Sequence, residues 1–281
     1  MIDLIRKKIL SLLGIKEIKE NQDKILINQG KILNKINETK NFDKIHEYEF
    51  KVFSQFGEDG IIQYLINNLD IKNKIFVEFG VENYKEANTR FLLENNNWKG
   101  LIIDSSEKNI SFIKKQNYYW KFNLLAICSF INCENINKLF EENNFSGNIG
   151  LLSIDIDGND YWVWKSINTI DPDVVVIEYN SRFGNNKSFT IPYDPKFIRG
   201  KNNHLLYFGA SLKALSKLGK SKGYELICTN SNGNNAFFVK QELVNEKIRP
   251  GKTTLIFNEK TFNETDDDQD FNFDKYPLEE V

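Results

Sequence analysis

Residues 151–164 have the sequence LLSIDIDGNDYWVW, in which acidic and amide side chains directly follow an apolar run. Such a run is typical of a strand that is buried in a parallel sheet. Ligands of open α/β sheets bind at the carboxyl ends of the strands, which is where these polar residues fall. Acids gathered there repel one another unless a cation, a hydroxyl-rich ligand or solvent offsets their charge. The polar residues are Asp155, Asp157, Asn159 and Asp160.

On both sides of this stretch, apolar runs alternate with segments that have helical spacing. The last two strand patterns are joined through Gly-Asn, which is a hairpin signal. This order predicts an α/β fold with a Rossmann-like sheet, mostly parallel and closed by an antiparallel β6–β7 hairpin. Strands are predicted at residues 74–80, 100–106, 122–128, 149–157, 173–180, 224–232 and 235–241. Helices are predicted at residues 56–69, 88–96, 107–117, 134–144, 161–167 and 210–223.

The composition excludes several classes of protein. The 281 residues are 41% hydrophobic and 13% aromatic, which is enough for a large core. Lys+Arg 37 against Asp+Glu 39 gives a net charge of -2, whereas a general nucleic-acid binder carries a basic surplus. The three cysteines fit neither a disulfide framework nor a zinc site, which indicates reduced thiols in a cytoplasmic protein. No apolar run is long enough to predict a membrane-spanning helix.

The chain divides into three predicted segments. Residues 1–50 form a helical arm, residues 51–244 form the α/β domain, and residues 245–281 form an acidic extension. Residues 1–14 have a basic amphipathic pattern, which fits either an anionic membrane surface or packing on protein. Residues 15–36 place isoleucines in a heptad with two glutamines in its seam, which is typical of a weak coiled coil. We therefore expect either a homo-oligomer through the coiled coil or peripheral contact with the inner membrane face through the basic helix.

Acidic or amide residues end four of the predicted strands. Because burial of an unpaired carboxylate is costly, the set as a whole favours a ligand site. Asp104 ends the second strand, where an acid holds the ribose hydroxyls of an adenosine ligand. The loop after the first strand lacks G-x-G-x-x-G and is rich in acids, so it suits a cationic or zwitterionic ligand better than a pyrophosphate. The strand-end residues are Glu78 with Gly80, Asp104, Asp155 with Asp157, and Glu178 with Asn180.

The order of these motifs resembles that of the class I S-adenosylmethionine-dependent methyltransferases. Within that class, it resembles the FkbM-like branch and its bacterial polysaccharide-cluster relatives. The resemblance covers residues 53–240 and departs in the first loop, Gly80-Val81-Glu82-Asn83, where many relatives carry two or three glycines. The motifs are FSQFGEDGI, FVEFGVENYKEANTRFLLENNNWKGLIID, LLSIDIDGNDYWVWKSI and VVVIEYNSRFG.

The resemblance implies that residues 51–244 bind S-adenosyl-L-methionine and transfer its methyl group. The implied acceptor is a sugar hydroxyl of a capsule or O-antigen precursor, which is free, nucleotide-linked or lipid-linked. The implied cofactor contacts are Gln55 and Glu58 at the amino-acid end, Glu78 and Gly80 beneath it, Asp104 at the ribose, Ser105 or Ser106 near the adenine, and Asp155 on the far side.

Some small-molecule O-methyltransferases hold a divalent ion with acids and an amide from the ends of the fourth and fifth strands. The equivalent residues here are hard oxygen ligands that suit Mg²⁺ or Mn²⁺. The ion would lower the pKa of a sugar hydroxyl and orient its oxygen. Alternatively, Asp157 caps the following helix and Asn159 forms a turn. The expected ligands are Asp155, Asp157, Glu178 and Asn180, with Asp160 as a further candidate.

His204 is a candidate general base that takes the proton of the hydroxyl, because histidine titrates near neutral pH. A lone histidine in an Asn-rich loop is, alternatively, often just a solvated side chain. The predicted catalytic residues are therefore Asp155, Asp157 and His204.

Two other functions remain open from the sequence. Asp155-x-Asp157 mimics the D-x-D element with which metal-dependent glycosyltransferases hold a nucleotide sugar, although it lies late in the chain. A non-catalytic assembly module, in which the arm oligomerises and the domain docks, is the third possibility.

Overall fold

The computed structural model describes residues 14–184, 186–201, 203–248 and 271–281. Most of the predicted membrane-docking helix and much of the acidic extension lie outside these residues. The strands are β1 (Ile75–Phe79), β2 (Lys99–Asp104), β3 (Leu124–Cys128), β4 (Gly147–Ile154), β5 (Ile170–Glu178), β6 (Phe189–Thr190), β7 (Tyr224–Thr229), β8 (Asn235–Lys240) and β9 (Glu279–Glu280).

Seven of these strands form one sheet in the order β3-β2-β1-β4-β5-β8-β7. The pairs among β1 to β5 are parallel, whereas β8 runs antiparallel to both β5 and β7. The predicted fold class is confirmed, including the closing hairpin. A small antiparallel sheet of β6 and β9 was not predicted, because its two-residue strands come from distant parts of the chain.

Helices cover both faces of the large sheet. The predicted helix at 107–117 is wrong in extent, because it ends at Ile113 and a second short helix begins at Asn117. The helices are α1 (Ile15–Glu38), α2 (Glu58–Asn68), α3 (Arg90–Asn96), α4 (Glu107–Ile113), α5 (Asn117–Lys121), α6 (Ile136–Glu142), α7 (Asp160–Ser166) and α8 (Leu212–Ser221). Short 3₁₀ turns lie at Ile45–Tyr48, Ser181–Phe183, Gln241–Leu243 and Phe273–Lys275.

The apolar core lies on both sides of the sheet because successive side chains of a strand point to opposite faces. In β1, Val77 and Phe79 join one buried cluster, whereas Phe76 joins the other. This arrangement explains why the strands are continuously apolar in sequence. Strand β4 ends at Ile154, earlier than predicted, so Asp155 and the following acids lie in a loop at the carboxyl edge.

Helix α1 packs on the domain through a close approach at Gly30. A Cβ atom at Gly30 would lie 2.4 Å from Val52 Cγ2 and 2.8 Å from Phe91 Cζ. This contact explains a glycine that costs about 1 kcal/mol of helix propensity. Buried Arg90 adds an ion pair to Asp23 of α1 at 2.5 Å. The long helix predicted in the arm is therefore present and is fixed to the domain along one side.

Two further predictions concern the cysteines and the absence of a membrane-spanning helix. Cys128, Cys133 and Cys228 are free thiols. None of the helices in the described ranges combines the length and apolarity that crossing a bilayer requires.

Candidate functional site

Two adjoining cavities open at the carboxyl edge of the sheet, each with a volume of ≈ 270 Å³. They share Gly80, Glu82, Asp155 and Asp157 as common walls. The first cavity is lined further by Ile103, Asp104, Ser105, Ser106, Asn109, Ser129, Phe130, Ile131, Ile156, Asn159 and Phe197. The second cavity is lined further by Gln55, Glu78, Phe79, Val81, Glu86, Ala87, Asn88, Glu178, Arg199 and Asn235. The acids predicted from four strand ends thus face one cleft.

The shared wall depends on Gly80, which follows β1 with φ of +68°. A Cβ atom at this position would lie 1.5 Å from the carbonyl oxygen of Asp155. Only glycine permits both this conformation and this approach. The loops that follow β1 and β4 are therefore in direct backbone contact, which brings the two acidic strand ends together.

The loop after Gly80 keeps a left-handed backbone without further glycines. Glu82 and Tyr84 have φ values of +46° and +59°, a conformation that costs non-glycine residues about 1–2 kcal/mol. The backbone N–H of Glu82 donates to Asp104 Oδ2 at 2.8 Å. The buried Tyr84 hydroxyl lies 2.9 Å from Thr89 Oγ1. These contacts offset the strain, so the loop holds this backbone with residues other than glycine.

Glu78 organises the same loop from beneath. Its Oε1 accepts a hydrogen bond from the Asn88 N–H at 2.8 Å, and its Oε2 accepts from the Thr89 N–H and hydroxyl at 3.1 and 2.5 Å. Burial raises the pKa of Glu78 to about 7, although these donors act in the opposite direction. Glu78 is therefore a buried acid whose lone pairs are largely engaged by the protein.

Asp104 closes the first cavity at the end of β2. Its Oδ1 accepts from the Ser106 N–H at 2.8 Å and from Asn109 Nδ2 at 3.2 Å. The carboxylate is held in one orientation at the cavity wall, next to the hydroxyls of Ser105 and Ser106. This is the placement that the adenosine-binding prediction requires.

Asp155, Asp157 and Glu178 form a compact acidic cluster at the second cavity. They can offer carboxylate oxygens that all lie within 4.8 Å of one another. Glu178 Oε2 is buried and has no hydrogen-bond partner within the described residues. Burial raises the pKa of Asp155 well above its usual range, and repulsion from Asp157 adds to this effect. The pKa of Glu178 is raised for the same two reasons, with Asp155 as the nearest cause of repulsion.

Arg199 is a functional candidate that the sequence analysis missed. Its Nη1 donates to Asp157 Oδ1, and its Nε donates to the Leu205 carbonyl at 2.6 Å. Its guanidinium also lies 3.7 Å from the ring centroid of Phe208. The positive charge of Arg199 works against the rise in the pKa of Asp155 and Glu178. One signal in the sequence could have indicated Arg199: it is an arginine in a chain whose basic residues are mostly lysines.

Gln55 lies at the surface of the second cavity, whereas Glu58 is buried. Gln55 is exposed and lines the second cavity. Glu58 is fully buried, where its Oε2 accepts from the Phe56 and Gly57 N–H groups. Its Oε1 accepts from the side-chain amide of Asn235 at 3.0 Å. Glu58 therefore lies behind the cavity wall and fixes the loop that presents Gln55.

Two predicted site residues are directed away from the acidic cluster. The side-chain amide of Asn180 donates to the Leu206 and Phe208 carbonyls, and its oxygen accepts from the Arg182 N–H. The imidazole of His204 accepts at Nδ1 from the Leu206 N–H and stacks on Phe271. Neither side chain lines either of the two cavities, and both make contacts within the segment that follows β5.

The loop after β4 is organised by Asp160. Its carboxylate accepts from the Ile156 and Gly158 N–H groups, each at 2.8 Å. Asp160 therefore stabilises the loop backbone and is not part of the acidic cluster of Asp155, Asp157 and Glu178. The alternative that Asp157 caps α7 is wrong, since Asn159 occupies the N-cap position. Asp157 instead has φ of +57° and pairs with Arg199.

Comparisons with known proteins return structures only. No protein-family model matches this chain, and no curated protein sequence matches it. One similar structure is an S-adenosylmethionine-dependent methyltransferase from Clostridium acetobutylicum, with 10% identity, a TM-score of 0.41, and coverage of 73% of this chain and 94% of that chain. Another is the N-terminal domain of EvdMO1 with SAH bound, with 10% identity, a TM-score of 0.43, and coverage of 77% and 94%. A third is the O-methyltransferase from Bacillus cereus in complex with SAH, with 13% identity, a TM-score of 0.43, and coverage of 76% and 90%.

Similarity at this level does not identify an activity. The strand order, with an antiparallel β8 inserted between β5 and β7, is what defines the fold. The chain adopts the Rossmann-like sheet of the class I methyltransferase fold. Its candidate site lies at the carboxyl edge of that sheet, where ligands of such folds bind.

Proposed function

We propose that this chain is an S-adenosylmethionine-dependent O-methyltransferase that acts on a sugar hydroxyl of a surface-polysaccharide precursor, with a divalent cation at the acidic cluster. One observation carries the proposal: a single cleft joins a cavity built around Asp104 to a cavity that contains Asp155, Asp157 and Glu178. The first cavity offers a site for an adenosine group. The second offers oxygen ligands and proton acceptors beside it.

The residues of the cleft fit S-adenosylmethionine. The cofactor, when bound, supplies a methyl group that is activated on a positively charged sulfonium. Asp104 is held in place to accept ribose hydroxyls, and Phe130 and Ile131 add apolar surface for a flat base. The shared wall of Gly80 and Asp155 is where the two cavities meet. The negative charge around that wall favours a cationic ligand.

The second cavity fits a neutral acceptor with several hydroxyl groups. Its lining is rich in hydrogen-bonding side chains, including the amides of Gln55, Asn88 and Asn235. Burial and mutual repulsion raise the pKa of Asp155 and Glu178, which makes each carboxylate a stronger base than an ordinary surface acid. We assign the removal of the hydroxyl proton to whichever of these two carboxylates does not bind the cation, because His204 lines neither cavity.

The acidic cluster also fits a hard divalent cation. The three carboxylates can place oxygens within 4.8 Å of one another, and the buried Glu178 Oε2 has no partner in the described part of the chain. Mg²⁺ and Mn²⁺ favour such ligands and would polarise a hydroxyl group. Arg199 pairs with Asp157 and so competes with a cation for one of the three ligands.

Titration calorimetry with S-adenosylhomocysteine tests the cofactor half of this proposal. We expect the full chain to bind this ligand and the Asp104→Ala variant to lose binding. Asp70→Ala is the matched control, because Asp70 is an exposed acid paired with Lys72 and lines neither cavity. Absence of binding by the unaltered chain, or equal binding by the Asp104→Ala variant, would reject the assignment.

Transfer of a labelled methyl group tests the acceptor half. The chain is incubated with labelled S-adenosylmethionine and with free, nucleotide-linked or lipid-linked sugars, with and without Mg²⁺ or Mn²⁺. We expect label in a methyl ether of a sugar and none with the Asp155→Asn variant. Thermal stabilisation by a nucleoside diphosphate with Mn²⁺, but not by S-adenosylhomocysteine, would instead favour a glycosyltransferase.

A further inference from the structure

Helix α1 carries an apolar stripe that the rest of the described chain does not cover. The side chains of this stripe have exposed fractions between 37% and 61%. Contiguous apolar surface of this kind on a soluble protein marks an interaction site. The stripe consists of Ile18, Ile25, Leu26, Ile32, Leu33 and Ile36.

The opposite side of α1 is fixed to the domain and cannot rotate to bury the stripe. Gly30 packs against Val52 and Phe91, as described above. Asn34 donates to Gln63 at 3.4 Å, and Asn37 donates to the Tyr48 carbonyl at 2.9 Å. At about 3.6 residues per turn, these positions and the stripe fall on different sides of the helix. Within the described residues, nothing is placed to cover the stripe.

The spacing of the stripe indicates which partner would cover it. Ile18, Ile25 and Ile32 recur every seven residues, and Gln22 and Gln29 are the exposed positions between them. This is the a/d pattern of a coiled coil, with isoleucine at d and glutamine at two a positions. Against lipid or an apolar protein surface, each buried unpaired amide would cost about 1–3 kcal/mol. Against a second copy in matching register, the glutamine amides pair with each other.

We propose that α1 is a dimerisation helix, through which two copies of the chain form a parallel two-stranded coiled coil. In a parallel arrangement, Gln22 lies opposite Gln22 of the second copy, and Gln29 lies opposite Gln29. In an antiparallel arrangement, glutamine would lie opposite isoleucine. The 24 residues of α1 span about 36 Å, so the seam is about three heptads long. Because the seam is only about three heptads long, we expect the dimer to form reversibly.

Sedimentation equilibrium of the full chain over a range of concentrations tests the dimer. We expect twice the chain mass at high concentration, and the mass of one chain for Ile25→Asp/Ile32→Asp. Lys31→Asp is the matched control, because Lys31 is exposed on the same helix outside the seam, and it is expected to leave the dimer intact. Far-UV circular dichroism of each variant verifies that the fold is retained. A monomer at every concentration, or a dimer that survives both Ile→Asp changes, would overturn the proposal.

Cross-linking tests the register of the two helices. In a background with the exposed Cys128 changed to serine, Ile18→Cys is expected to form a disulfide between copies, whereas Glu17→Cys is not. A dimer in which Ile18→Cys fails to cross-link would overturn the parallel arrangement. Replacing both seam glutamines with isoleucine is expected to raise the copy number above two, as isoleucine at a and d does in coiled coils. A chain that stays monomeric but sediments with anionic vesicles would assign the stripe to a membrane instead.

Discussion

Glu78 and Asp104 contrast with Asp155 and Glu178, although all four acids lie at or just beyond strand ends on the same edge of the sheet. The first two accept hydrogen bonds from backbone and side-chain donors that fold the surrounding loops. The second two repel each other, and one buried oxygen of Glu178 has no partner within the described ranges. Glu78 and Asp104 are therefore held in fixed orientations by hydrogen bonds within the protein, whereas Asp155 and Glu178 keep acceptor capacity for a ligand.

The largest expected effect, on both stability and ligand binding, comes from the wall that the two cavities share at Gly80 and Asp155. Gly80→Ala would place a Cβ atom 1.5 Å from the Asp155 carbonyl oxygen, so the loops must separate. We expect a loss of at least about 3 kcal/mol of unfolding free energy and no binding of S-adenosylhomocysteine. Urea unfolding and calorimetry measure the two effects.

Gly147→Ala is the control for Gly80→Ala. Gly147 also has a positive φ, of +70°, but a Cβ atom there meets nothing within 4 Å. We expect this change to cost only the left-handed strain of about 1–2 kcal/mol and to leave ligand binding intact. Equal effects of the two substitutions would show that the contact with Asp155 is unimportant.

The second prediction compares the two kinds of acid directly. Glu78→Ala leaves the N–H groups of Asn88 and Thr89 and the hydroxyl of Thr89 without their acceptor, so we expect a loss of about 3 kcal/mol. Asp155→Asn removes a repelling charge and is expected to abolish methyl transfer without lowering stability. Urea unfolding of both variants, with the labelled-methyl assay, checks this. A large destabilisation by Asp155→Asn would contradict the distinction.

The third prediction concerns Arg199 as a competitor for the acidic cluster. Arg199→Gln frees Asp157 from its ion pair, so Mn²⁺ is expected to bind about tenfold more tightly, which corresponds to about 1.4 kcal/mol. Calorimetric titration with Mn²⁺ measures the change. Lys196→Gln, a nearby exposed change that removes the same charge but lines neither cavity, is the control. Unchanged or weaker binding by Arg199→Gln would show that the arginine does not oppose the cation.

The smallest predicted effect is a pH-dependent gain in stability. The folded-state pKa of Glu178 is raised above its ordinary value of 4.5, so the folded protein holds its proton to higher pH than the unfolded chain does. Stability is therefore lost as pH rises from the ordinary pKa through the raised one. Glu178→Gln is expected to stabilise the folded protein at pH values above that window and to have no effect below pH 4.5.

Thermal unfolding at mildly alkaline and acidic pH measures this gain. Glu86→Gln is the control, because Glu86 lines the same cavity but is exposed and pairs with Lys51. It is expected to show no gain at either pH. A gain for Glu178→Gln that is the same at both pH values would mean that its charge is not the cause.

The sequence was sufficient to predict the sheet and the acids at its edge, because apolar runs and their polar ends follow directly from strand burial. The sequence could not show which of those carboxylates accept hydrogen bonds from other groups of the protein. Glu58 and Glu78 look like ligand-binding residues in sequence, yet both mainly hold backbone N–H groups. That distinction depends on donors such as Thr89, which are placed by the folded loop.

The long segment between β5 and α8 was the least predictable part of the site. It has no periodic pattern, so neither the direction of the Asn180 side chain nor the position of Arg199 follows from spacing. Its path is fixed by tertiary contacts such as the pairing of β6 with β9 and the stacking of His204 on Phe271. Residues placed by contacts of this kind are visible only in the folded chain.

The loop after β1 has a left-handed backbone conformation that glycine usually provides, but here it is formed by other residues. Glu82 and Tyr84 take up the backbone shape that alternating glycines adopt easily, and a carboxylate and a buried phenol hold them there. The left-handed backbone of this loop is therefore not visible in the sequence as a glycine pattern. The phenol also has a role that glycine cannot supply, since its hydroxyl joins Thr89 and, through it, Glu78. Glycine at position 84 would therefore relieve the backbone strain but would also remove the hydroxyl that links this loop to Thr89 and Glu78.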